Sequence, residues 1–321
     1  MSTRLYFSTL ATIALMSVFT VAQAPEKVLY SFGASANDGA SPNGGLVFDK
    51  AGNLYGTTES GGLTGCSGHC GTVFELSPAN KGTWTETVLY QFCSQPNCSD
   101  GGEPRAGLLI DDLGNLYGTA AQGGIGCGVV GCGTVFELSP PALPGDSWQY
   151  TVLWSFGNVA NDGIGPYGRL NRDSKGNLYG TTAGSCCVGG GDGIVFELSP
   201  GLGGTWDETV LYAFCLSGYP CPDGYTPRAG VSFDAIGNLY GTTYGGANDG
   251  KWGTVYRLTP QGDGTWAETN LHRFTGQGGG MPLSTVNFDQ SGNLYGTVST
   301  GQPGGPAQCG GVWRLTPQGN G

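Results

Sequence analysis

The chain has 321 residues, 13 Lys and Arg against 24 Asp and Glu, and a formal charge of −11. That balance excludes nucleic acid and an anionic membrane surface as partners, because both are held by clustered cations, and it leaves neutral or cationic ones. Eleven cysteines in a chain that opens on an export signal argue against a reducing compartment and for disulfides.

The signal occupies residues 1–24. Arg4 is its one charge, an apolar run extends from Leu10 to Val21, and Ala22-Gln23-Ala24 offers the small residues a signal peptidase reads. The run is too short for a stable membrane span, and no later stretch reaches that length. Residues 25–321 are therefore expected as a single domain, secreted or periplasmic and monomeric.

Val28-Leu29-Tyr30-Ser31-Phe32 follows, an isolated β-rich pentad. The first full unit then reads Gly45 to Asp49, a turn, Leu54 to Thr58, a Gly-rich loop, Gly71 to Leu76, a second turn, and Thr87 to Phe92. Each run is short, β-branched or aromatic, and bounded by Gly, Pro, Asn or Asp, which predicts four antiparallel strands, a to d. The stretch Gly52-Asn53-Leu54-Tyr55-Gly56-Thr57 returns at Gly114, Gly176, Gly237 and Gly292, and a spacing of roughly 60 residues marks one supersecondary unit copied around an axis. The repeats fall at roughly 43–92, 105–156, 167–214, 228–274 and 283–317.

Five sets of strands a, b and c are present, but the last has no strand d after it, and the orphan pentad has the pattern of a strand d. The expected fold is all-β: a five-bladed β-propeller of four-stranded blades, closed by residues 28–32 joining the last blade, which removes free sheet edges.

The a-b connections begin at Asp49, Asp111, Asp173, Asp234 and Asp289, each with Gly three and Asn four residues later. That is hairpin-turn chemistry, with the carboxylate accepting backbone N–H groups while Gly takes positive φ. The c-d connections carry Trp84, Trp148, Trp206 and Trp266, which are expected as aromatic plugs on the hairpin or between blades.

In such a meander the a-b and c-d turns lie on one face of the disc and the longer b-c and d-a loops on the other. All the cysteines fall in those longer loops, on the face where binding sites on rigid scaffolds are usually found. Local pairs Cys66–Cys70, Cys93–Cys98, Cys127–Cys132 and Cys215–Cys221 are the simplest connectivity, with cross-loop pairing still open. Cys186 and Cys187 are adjacent, and Cys309 is the candidate odd thiol. Cys66-Ser67-Gly68-His69-Cys70 lacks a second Cys/His pair, so a small disulfide loop is favoured over zinc.

Asp38, Asp100, Asp162 and Asp223 each precede a Gly and, further on, a Pro, and are expected near the mouth of the central channel. Turn chemistry explains them; carboxylates that bind a cation or sugar hydroxyls, or form an acid–base pair, are the alternative. No cofactor is expected, and calcium has no motif of its own here. The residues after the prolines break the repeat: Asn43, Arg105, Tyr167, Arg228 and Leu283. A ligand without five-fold symmetry needs such breaks, so Arg105, Tyr167, Arg228 and nearby Glu103 join the four aspartates as candidate ligand contacts.

The repeated Asp-x-x-Gly-Asn-Leu-Tyr-Gly-Thr, a Gly-Gly loop, Gly-Thr-Val-Phe-Glu-Leu-Ser-Pro and Thr-Val-Leu-Tyr-x-Phe resemble the GloVer tandem-repeat family of secreted bacterial proteins over nearly all of residues 27–318. The resemblance implies an extracellular repeat protein of undefined activity and supplies no catalytic residues. The expected function is non-catalytic binding of carbohydrate or another extracellular or envelope component through the b-c and d-a loop face. A glycan-active hydrolase or lyase with axial carboxylates and a scaffold for protein partners are the alternatives. His69 and His272 have no evident partner, and the candidate acids recur with the repeat, which weighs against catalysis.

Overall fold

The computed structural model describes residues 26–33, 37–62, 70–128, 131–143, 145–159, 161–185, 192–246, 250–301 and 309–317. The expected signal segment, Cys66, Cys186 and Cys187 lie outside them. The protein is an all-β propeller of five blades with almost no helix.

Blade 1 runs a (Val47–Phe48), b (Leu54–Thr58), c (Thr72–Pro78), d (Trp84–Gln91), each strand antiparallel to the next. Blades 2 to 4 repeat this order, ending in strands d at Gln149–Ser155, Trp206–Ala213 and Trp266–Arg273. Strand b is buried along its length because it is flanked by strands on both sides and by a blade on each face. Its central glycine is fixed by packing: a Cβ built on Gly180 would stand 2.5 Å from the ring of Phe196 on strand c. Strand d contains a bulge that strand periodicity does not reveal. Phe74 pairs with Val88 and Val73 with Tyr90, so Leu89 is left over, and the same shift recurs in blades 2, 3 and 4. The extra residue bends the strand end and carries the following phenylalanine between blades.

Those phenylalanines form the joints. Phe92 meets Phe136 of blade 2 at 5.2 Å, Phe156 meets Phe196 at 5.2 Å, Phe214 meets Tyr256 at 5.0 Å and Phe274 meets Trp313 at 6.2 Å. Phe92, Phe156 and Phe214 are fully buried, and burial at this scale contributes roughly 1.5–3 kcal/mol per side chain. Nearer the axis, the threonine of each Leu-Tyr-Gly-Thr donates to a carbonyl of the next blade: Thr57 to Ala106, Thr119 to Gly168, Thr181 to Ala229 and Thr242 to Ser284.

The fifth blade is built differently. Strands a (Asn287–Phe288), b (Leu294–Thr300) and c (Gly311–Leu315) pair in order, and the fourth strand of its sheet is Gly280–Pro282, paired to the far end of b. The pentad expected to pair with strand c forms no ladder among the described residues. Phe32 instead lies 4.8 Å from Phe74 of blade 1. It thus holds the place relative to blade 1 that Phe92 holds relative to blade 2, without the backbone pairing. Its side-chain packing is strong enough to seat it, while its exposed Val28 and Leu29 make no sheet.

Candidate functional site

Every blade carries a left-handed residue just before the proline that leads into strand a: Ser41 (φ 59°), Glu103 (φ 53°), Gly165 (φ 66°), Thr226 (φ 54°) and Met281 (φ 56°). Left-handed backbone is disfavoured for the non-glycine residues among them, so the surroundings must hold it. They do. The amide of Glu103 donates to Cys70 of blade 1, that of Gly165 to Cys132 and that of Thr226 to Asp192, each in the preceding blade. The carbonyl of the same residue accepts from the amide one position past strand b: Ser41 from Glu59, Glu103 from Ala121, Gly165 from Ala183 and Thr226 from Tyr244. This fixed kink sets the residue after each proline beside the residue after each strand b.

Those two variable positions meet across blades 1 to 4. Asn43 donates to Glu59, Arg105 bridges Glu59 and Glu103 at 2.9 Å each, and its guanidinium lies 5.2 Å from the Tyr167 ring centre. Arg228 also lies over Tyr167, at 6.0 Å, and over Tyr244 at 4.4 Å. Guanidinium faces attract phenol rings by about 0.5–2 kcal/mol depending on desolvation, so the series holds itself together as a continuous arc. Arg105 and Arg228 are exposed and Tyr167 and Tyr244 half-buried. Two cations and two carboxylates leave the arc electrically balanced.

The structure brings together Glu103, Arg105, Tyr167 and Arg228, four of the residues the sequence offered as candidate ligand contacts. Glu59 and Tyr244 were not foreseen. The signal was present: the residue after strand b reads Glu59, Ala121, Ala183 and Tyr244, a column that breaks the repeat as the post-proline column does.

The four aspartates sit elsewhere. Asp38, Asp100 and Asp162 are at most 5% exposed; Asp100, Asp162 and half-buried Asp223 each tie off the end of a strand d, and Asp38 the end of the residue 28–32 pentad. Asp38 accepts from the amide of Gly33, Asp100 from Ser94, Asp162 from Gly157 and Asp223 from Cys215. Tyr30, Tyr90 and Tyr212 add hydroxyl donors to three of them. Burial, with the adjoining Asp38, pushes the Tyr30 hydroxyl up to about 12, and burial and Asp223 push Tyr212 up as well, so both stay donors. These carboxylates bind their own backbone, the turn role the sequence suggested.

A second set of acids lies against them. Glu208 on strand d of blade 3 contacts Asp162 and is pushed up to about 8 by burial, then by Asp162; Glu268 is pushed up to about 7 by burial and Asp223; Glu86 is raised by burial and Asp38. Three inter-blade carboxyl pairs result, and in blade 2 Tyr150 takes the position, donating to the Asp100 carbonyl.

Disulfides join Cys93–Cys98, Cys127–Cys132 and Cys215–Cys221, the local pairs expected, and Cys70 is also disulfide-bonded. Cys309 is a free, exposed thiol. Among the described residues no helix is long and apolar enough to cross a membrane. The bonds fit an oxidising compartment.

A ring of repeated blades whose inner loops carry one non-repeating arc defines a repeat-built β-propeller. The chain belongs to the Gloeobacter/Verrucomicrobia repeat family, whose model matches residues 15–231, more than half its length. No curated protein matches it. Among solved structures it is similar to PorZ, described as an essential bacterial surface component of the type-IX secretion system of Porphyromonas gingivalis (15% identity, TM-score 0.47), covering 88% of this chain and 34% of that one, so the chain spans about a third of its length. It is also similar to a glucose dehydrogenase (16%, TM-score 0.45, 88% and 87% covered) and to the endo-arabinase of Bacteroides thetaiotaomicron VPI-5482 (14%, TM-score 0.43, 90% and 99% covered). Likenesses at this level carry no argument about ligand or reaction.

Proposed function

We propose that the protein is a secreted, non-catalytic propeller that binds a neutral carbohydrate through the arc from Asn43 to Tyr244. The observation that supports this is the arc itself: half-buried phenol rings and the guanidinium planes lying over them, which together present flat, partly apolar surface to a sugar ring, beside carboxylates that accept from hydroxyls, with no net charge to demand an ionic ligand. A glycoside hydrolase places two carboxyl groups on either side of the scissile bond, roughly 5–9.5 Å apart. Here Glu59 and Glu103 are both engaged by Arg105, which supports binding over hydrolysis.

Binding to an array of neutral and acidic glycans tests the reading. Wild type should bind a neutral glycan, and Tyr167→Ala and Arg228→Ala should each weaken it about tenfold, equivalent to about 1.4 kcal/mol, with thermal midpoints little changed. Release of reducing ends from a polysaccharide by the wild type, lost in Glu103→Gln, would instead establish the hydrolase.

A further inference from the structure

The turn face that looked featureless in the sequence holds a cavity of about 760 Å³ between blades 4 and 5. Tyr240, Arg257, His272, Phe288, Arg314 and Pro317 line it. The same position between earlier blades is filled. Trp148 of blade 2 stands 5.9 Å from Tyr55 of blade 1, Trp206 packs in the cluster of Tyr117, and Trp266 in that of Tyr179. Beside Tyr240 no tryptophan from a strand d is found among the described residues. The pentad that has the strand d pattern does not provide one either: Trp84 stands four residues before Val88, and Ala24 four residues before Val28.

The charge of the position changes along with its filling. In blades 1 to 3 the strand c residue opposite the tyrosine is Glu75, Glu137 or Glu197, bonded to Ser77, Ser139 or Ser199 two residues on. In blades 4 and 5 it is Arg257 or Arg314, opposite Tyr240 and Tyr295, and Thr259 and Thr316 replace the serines. Arg257 Nε is buried without a hydrogen-bond partner. A buried donor left unmatched is unfavourable, and an arriving acceptor removes that penalty. Asp234, the one acid in the lining, is already engaged by its own turn, accepting from Ile236, Asn238 and Tyr240.

We propose that this cleft binds a small aromatic carboxylate, with its ring in the place that tryptophan takes between the other blades and its carboxylate on Arg257. The site is distinct from the inner arc and on the opposite face of the disc, so it does not depend on the carbohydrate reading.

Calorimetric titration with indole-3-acetate and its neutral analogue indole-3-acetamide tests it. The acid should bind at least about tenfold more tightly than the amide, a difference of about 1.4 kcal/mol. Arg257→Glu, which installs the residue of blades 1 to 3, should remove that advantage and give measurable binding of the cation tryptamine, showing that the variant is folded and the cleft intact. Equal affinity for acid and amide, undiminished acid binding by Arg257→Glu, or no saturable binding of the acid at millimolar concentration would overturn the proposal. So would a dimer, seen by sedimentation and not dissociated by indole-3-acetate, whose tryptophan occupies the cleft.

Discussion

Asp111 shows how much one repeated side chain holds. Its Oδ1 accepts from the amides of Leu113 and Asn115 at 2.9 Å, and its Oδ2 accepts from Asn115 Nδ2 and the Tyr117 hydroxyl. The carboxylate therefore closes the a-b hairpin and anchors the tyrosine of strand b in the same step. Its side chain is 3% exposed, whereas Asp289, in the equivalent turn of blade 5, is solvated. Asp111→Ala should accordingly lower stability by about 1–3 kcal/mol and Asp289→Ala by clearly less, measured by urea unfolding. Asp49 in blade 1 adds a pH signature. Burial opposes its ionisation, but bonds from Asn53, Ala51 and Tyr55 outweigh that and hold it below its ordinary value of 3.8. The stability it contributes is in place above that value and lost as pH falls through the lowered one, so Asp49→Asn should flatten the acid limb of unfolding. These turns were legible in the sequence because donor and acceptor lie within six residues of each other.

At the scale of the element, the inter-blade joint was not legible, because its partners come from chain segments about 50 residues apart. Asp162 looked like a channel carboxylate; in place, its oxygens accept from the amides of Gly157, Asn158 and Gly163. A carboxylate so surrounded favours a donor, and the side chain brought to it is Glu208, which donates only when protonated. Blade 2 supports this, since Tyr150 at the equivalent position is a permanent donor. Folding therefore raises the Glu208 value from 4.5 to about 8. The sign follows: the joint contributes fully below pH 4.5, and its contribution is lost as pH rises through about 8. The facing group is Asp162, whose oxygens accept from backbone amides. The thermal midpoint should fall between pH 5 and pH 9, and Glu208→Gln, a donor at every pH, should flatten that fall. An unchanged slope in the variant would show that Glu208 is ionised throughout.

For the whole molecule, the repeat predicted the number of blades and their internal order, but not the state of the seam between blades 5 and 1. Counting strands is a local operation. Whether residues 28–32 pair with strand c of blade 5 depends on the curvature accumulated over five joints. Four of the Leu-Tyr-Gly-Thr threonines are buried against the next blade, while Thr297 of blade 5 is exposed. Gly45, at the start of blade 1, touches Gly107 of blade 2 yet has open space where its own Cβ would point. Among the described residues, strand c of blade 5 pairs on one side only, whereas strands c of blades 1 to 4 pair on both. Backbone amides at an unpaired edge open without disrupting the core. Hydrogen exchange should thus be fast over Val28–Phe32 and along the outer edge of Gly311–Leu315, and slow over Thr72–Pro78 and Ile194–Pro200. The side-chain counterpart is a graded cost: Phe156→Ala, at a fully buried joint, should destabilise by about 3–5 kcal/mol, and half-buried Phe32→Ala by clearly less. Equal costs together with slow exchange over Gly311–Leu315 would mean that the pentad pairs with strand c in solution and the ring is sealed by a backbone ladder.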